Sequence, residues 1–160
     1  MADATWDLVS TTVLTGSAST VTLTGLTGYK SFHITAQPKT LSFADPWLRL
    51  NGASGTHETT GFGGGSSLTQ WQGSDDKSNF SKAALESSGT VQWDIDIIGA
   101  DRTIDQALLI RSGKAASGSG GGSQLSCAAI RSASTLTSIQ FGLFSSSYAT
   151  GSIFTVYGLL

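Results

Sequence analysis

Apolar and polar residues alternate with a period of two along most of this chain. In the stretch 90–97, Val91, Trp93, Ile95 and Ile97 fall on one face and Gln92, Asp94 and Asp96 on the other, the pattern of a strand buried on one side. The same alternation predicts strands at 6–10 and at 20–24, where Val21 and Leu23 point inward between threonines, and at 29–36, where Phe32, Ile34 and Ala36 form the inner face. A fourth strand, 47–51, places Leu48 and Leu50 inward and ends in the turn signal Asn51-Gly52. Further strands follow at 107–111, 125–130, 138–144 and 152–158. The last two, joined by the polar segment 145–151 that ends in Gly151, predict a terminal antiparallel hairpin.

Two stretches break the pattern. Residues 53–86 are rich in Gly, Ser, Thr and Asp with isolated Phe62, Trp71 and Phe80, which predicts a long functional loop carrying one or two short strands. The tract 112–124, with its run of glycines and serines, predicts a flexible hairpin tip between two strands. No segment sustains helical periodicity, and 81–86 offers a turn or two at most. The expectation is a single all-β domain over 1–160, an antiparallel β-sandwich of about nine strands, since no crossover helix is present to build a parallel sheet.

Composition narrows the function classes. Charged residues are 12% of the chain and the formal net charge is −2, about half the usual charged share. The nine Lys and Arg are scattered, so neither a nucleic-acid partner nor an anionic membrane patch is expected. No apolar run approaches the ~20 residues of a membrane-spanning helix. The first six residues lack the basic and apolar regions of a signal peptide, which points to synthesis in a cytosol. The single cysteine, Cys127, lies in an apolar run and reads as a buried small hydrophobe.

Tests for chemistry leave no catalytic, cofactor or metal site. No serine sits in Gly-x-Ser-x-Gly. His33 lies on the polar face of its strand and reads as a surface histidine, while His57-Glu58 lies in the loop. Asp94 and Asp96 share one strand face with no opposing partner visible in the sequence, and read as a solvated face. Gly61-Phe62-Gly63-Gly64-Gly65-Ser66 fits neither phosphate-loop template. What stands out is aromatic residues on polar segments. Trp47 shares a strand face with Arg49, and Trp71 and Phe80 sit in the polar stretch, so Trp47, Arg49, Trp71 and Phe80 are the expected partner-binding residues.

The ending Leu136-Thr137-Ser138-Ile139-Gln140-Phe141, then Gly151-Ser152-Ile153-Phe154-Thr155-Val156-Tyr157-Gly158, resembles the closing segment of a family of small tailed-phage virion proteins with jelly-roll-like β-sandwich domains. An opening strand with Trp6 and a middle Leu48-Arg49-Leu50-Asn51-Gly52 occur in similar order there, so the resemblance spans most of the chain. It implies a virion protein on the capsid surface: a decoration or cement protein that binds the major capsid protein as a homo-oligomer, with a trimer favoured. The alternative it implies is a tail or fibre module that binds a receptor or carbohydrate, with Trp71, Trp47 and His57 as the binding candidates. No enzymatic role comes with either.

Overall fold

The computed structural model describes residues 5–42, 44–52, 57–64, 69–75, 78–79, 90–103, 106–115, 122–130 and 134–160, with the side chains at 57–79, 90, 114, 115 and 130 excepted. Its strands are β1 (Trp6–Val13), β2 (Thr20–Thr24), β3 (Ser31–Gln37), β4 (Pro46–Leu50), β5 (His57–Gly64), β6 (Thr69–Asp75), β7 (Ser78–Asn79), β8 (Thr90–Ile98), β9 (Gln106–Ala115), β10 (Gly122–Ile130), β11 (Ser138–Leu143) and β12 (Ile153–Leu159). All pairings are antiparallel. They form a large sheet in the order β1-β12-β3-β8-β9-β10-β5-β6 and a small one in the order β2-β11-β4-β7. The chain is an antiparallel β-sandwich, and each of the nine strands read from alternation is present.

The alternating residues meet in the middle. Phe32, Ile34, Val91, Trp93, Ile95, Ile97, Phe154 and Val156 line the inner face of the large sheet, and Val21, Leu23, Leu48, Leu50, Ile139 and Phe141 that of the small sheet, all buried. Between them Phe141 and Phe154 lie 5.4 Å apart, with Trp93 6.1 Å from Phe141. Tyr148 plugs one end, 5.4 Å from Phe154, and its hydroxyl donates to the Gly142 carbonyl at 3.3 Å. Burial pushes its phenol pKa well up, so it stays a neutral donor.

The expected terminal hairpin does not form. β11 lies between β2 and β4, whereas β12 lies between β1 and β3 in the other sheet. Both strands are apolar enough to take a neighbour on each side, and placing them in opposite layers lets Phe141 and Phe154 pack across the core. The connecting segment therefore crosses the sandwich, held by Ser152, whose hydroxyl accepts from the Lys39 amide at 3.0 Å and donates to the Ala149 carbonyl at 2.8 Å.

Two further differences concern the irregular stretches. Within 53–86, β5 and β6 form a hairpin that pairs onto β10 and widens the large sheet, and β7 adds to β4. Ladder pairing supplies these strands with what their composition does not advertise. Around the glycine tract, β9 and β10 stay in register as far as Gly122 opposite Lys114; residues 116–121 lie outside the described residues.

Candidate functional site

The expected contact pair on β4 is not an open surface. Trp47 is only 7% exposed, because its cross-strand neighbour is Gly142 and the indole lies in the space that a Cβ there would take. The Arg49 guanidinium sits 5.3 Å from the indole centroid as a cation–π lid. The outward placement of Trp47 is thus corrected: the side chain packs over the neighbouring strand, where one glycine leaves it room. Trp71 is placed by its backbone opposite Gly61 in the β5–β6 hairpin, with its side chain outside the described residues, as are those of His57 and Glu58; Phe80 lies outside them altogether.

The charged residues dismissed as surface are instead brought together on the outer face of the large sheet. Register aligns Tyr157, His33, Asp96, Leu109 and Cys127 in one row across β12, β3, β8, β9 and β10. The next row aligns Thr155, Thr35, Asp94, Arg111 and Leu125. Adjacent rows of one face put i and i+2 side by side, so Arg111 faces both aspartates. Its Nη1 donates to Asp94 Oδ1 at 2.9 Å and its Nη2 to Asp96 Oδ2 at 2.6 Å. His33 Nδ1 lies 2.7 Å from Asp96 Oδ1 and 3.6 Å from Asp94 Oδ1. Because a carboxylate only accepts, the proton of the neutral ring sits on Nδ1.

Desolvation raises the Asp96 pKa, but hydrogen bonds from His33 and Arg111 outweigh it and hold the carboxyl below its ordinary value. Reciprocally, the bond to Asp96 raises the Arg111 pKa further. His33, Asp94 and Asp96 offer three ligand atoms within 4.8 Å of one another. Arg111 takes one oxygen of each aspartate, Asp94 Oδ1 and Asp96 Oδ2, and ties the group into a charge network.

Around this network the face is apolar. Trp6 and Leu8 on β1 are 48% and 62% exposed, Ile98 on β8 is 59% and Leu125 on β10 is 46%. The Trp6 and Tyr157 rings flank His33 at 6.0 and 6.2 Å. A bulge between Leu8 and Ser10 shifts the β1 register against β12. It keeps Trp6, Leu8, Thr11 and Val13 all on the exposed side. Cys127, expected inside, is exposed on this same face. The inward positions of β10 are Ser126 and Ala128, so an apolar run does not fix which alternate residues turn in.

Sequence reading missed this cluster because none of its members is unusual alone. The only signal was Asp94 and Asp96 on one face of β8; Arg111 became their partner through the register of β8 with β9. The fold and this face together define an antiparallel β-sandwich with a sheet surface on which, among the described residues, exposed apolar side chains surround the hydrogen-bonded group His33, Asp94, Asp96 and Arg111. The chain matches no protein-family model, no curated protein and no solved structure.

Proposed function

We propose that the chain is a non-catalytic structural module of a phage particle, a capsid decoration protein that binds the outer surface of the head and works as part of a homo-oligomer. The observation that carries this reading is the outer face of the large sheet. Trp6, Leu8, Ile98 and Leu125 are exposed together there around His33, Asp94, Asp96 and Arg111. Apolar residues gathered on one side of a weakly charged protein suit a partner surface better than solvent. The resemblance of the 136–158 segment to small tailed-phage virion proteins supplies the particle, the major capsid protein as partner and the capsid surface as location.

The β5–β6 hairpin, which carries Trp71, is the part of this reading assigned to the head. Purified protein added to heads that lack it should bind at saturating copy number and raise their resistance to heat, since a ligand of the intact lattice stabilises it by mass action. Trp71→Ala should weaken the addition while the β-rich circular dichroism stays unchanged. Heads that neither bind the protein nor gain heat resistance would remove the decoration reading.

The alternative, a tail or fibre module that binds a receptor or glycan, is favoured by the Trp6 and Tyr157 rings on either side of His33, beside two carboxylates. Aromatic faces next to hydrogen-bonding acceptors also suit a sugar. Binding to a glycan array or to host cells, lost in Trp6→Ala, with no binding to heads, would transfer the case to it.

A further inference from the structure

We propose that the outer face of the large sheet is where a second copy of this chain docks, face to face, about a two-fold axis that lies in the face and runs parallel to the strands between β8 and β9. This goes beyond the decoration reading by giving the outer face to the homo-oligomer rather than to the head, and its test needs no particle.

Three observations lead there. The first is the position of the charges. In the order β1-β12-β3-β8-β9-β10-β5-β6, the line between β8 and β9 is the centre of the sheet, and across it Asp94 is the direct neighbour of Arg111. A two-fold rotation about that line exchanges the two sides at constant height. It sets Arg111 of each copy over Asp94 of the other, a reciprocal pair made twice. An axis in the face but perpendicular to the strands would set aspartate on aspartate. The strand-parallel axis is therefore the one that makes this face self-complementary, as an isologous interface must be.

The second observation is shape. The same rotation places Ile98, 59% exposed, over Ala107 of the other copy, and Leu125, 46% exposed, over Thr35. Each large side chain meets a smaller one. Asp96 falls opposite Leu109 of the second copy and keeps its carboxylate satisfied within its own chain through Arg111 and His33. Both copies thus desolvate carboxylates that already have partners, which avoids the cost of burying an unpaired charge.

The third is area. Eight strands at ~4.8 Å spacing and about seven residues of height at ~3.4 Å each give a face of roughly 900 Å² per copy. Two such faces lie within the range of about 1,200–2,000 Å² of stable interfaces. The three-fold arrangement implied by the resemblance has no comparable reciprocity on this face.

Sedimentation velocity from sub-micromolar to hundreds of micromolar protein should give a monomer–dimer equilibrium. Arg111→Asp and Asp94→Arg should each be monomeric alone, since each sets two like-charged pairs across the axis. An equimolar mixture of the two variants should recover the dimer, because every cross-axis pair is then opposite in sign. A purely intramolecular role for Asp94 and Arg111 cannot produce that recovery. Ile98→Asp, at an already exposed position, leaves the core untouched and should weaken association at least tenfold. Wild-type protein that stays monomeric across the range, a trimer, a mixture that stays monomeric, or an Ile98→Asp variant that dimerises normally would each overturn the proposal.

Discussion

Gly142 and Asn51 show how single residues hold this sandwich together. At Gly142 the Trp47 indole occupies the place of a side chain, so Gly142→Ala must expel or tilt it. That overpacking should cost about 1–3 kcal/mol in denaturant unfolding, with a shift of tryptophan emission as the indole moves into water. Asn51 sits at φ 53°, and its Oδ1 accepts from the amides of Thr137 and Ser138 at 2.7 and 3.1 Å while its Nδ2 donates to the Thr135 carbonyl at 2.9 Å. Asn51→Ala loses all three and strains the turn, and should lower unfolding free energy by about 1–3 kcal/mol. For Asp96 the sign runs with acid. Its carboxyl is held below the ordinary 3.8 in the folded chain, so its contribution is present above the unfolded value and is lost as pH falls through the folded one. Thermal melts from pH 6 downward should show stability declining below about pH 4, and Asp96→Asn should flatten that decline; an unchanged acid limb in the variant would show that Asp96 is not its source.

At the scale of elements, the informative case is the pair β11 and β12. Their alternation was legible, and β12 proves to lie inside a sheet, where it pairs with β1 and β3. Their assignment to opposite layers was not, because alternation says which face turns inward and nothing about which inward face it meets. Phe141 and Phe154 meet across the core at 5.4 Å with an interplanar angle of 37°. A double-mutant cycle on Phe141→Leu and Phe154→Leu should return a coupling of about 0.5–1.5 kcal/mol in unfolding free energy. Coupling near zero would contradict this packing. Likewise β5 and β6 draw their structure from the ladder with β10, a cause that lies far away in sequence.

The whole molecule is closed by contacts between distant parts of the chain. β1 pairs with β12 from Trp6 opposite Leu159 to Val13 opposite Ile153, which joins the two ends of the chain into neighbouring strands of one sheet. β2 reaches β11 in the same way. Loop closure on this scale must precede the contacts that stabilise it, so folding belongs to the slow, non-local class, on the order of milliseconds to seconds. Stopped-flow refolding followed by tryptophan fluorescence, with Trp93 fully buried in the native state, checks this; a microsecond phase that recovers the full signal would contradict it.

The sequence by itself determined the class of fold, nine strands and most of the core, because side-chain alternation is a local property: Val91, Trp93, Ile95 and Ile97 face inward wherever β8 is placed. It also determined the Asn51-Gly52 turn, since both residues accept a positive φ. The tertiary structure decided everything that depends on register between strands. Register buried Trp47 over Gly142 and turned Cys127 outward. It also set Arg111 against Asp94 and Asp96 and gathered Trp6, Leu8, Ile98 and Leu125 on one open face. The physical reason is that a strand fixes its own two faces but not its neighbours. The chemistry of this surface belongs to pairs of residues that come from different strands.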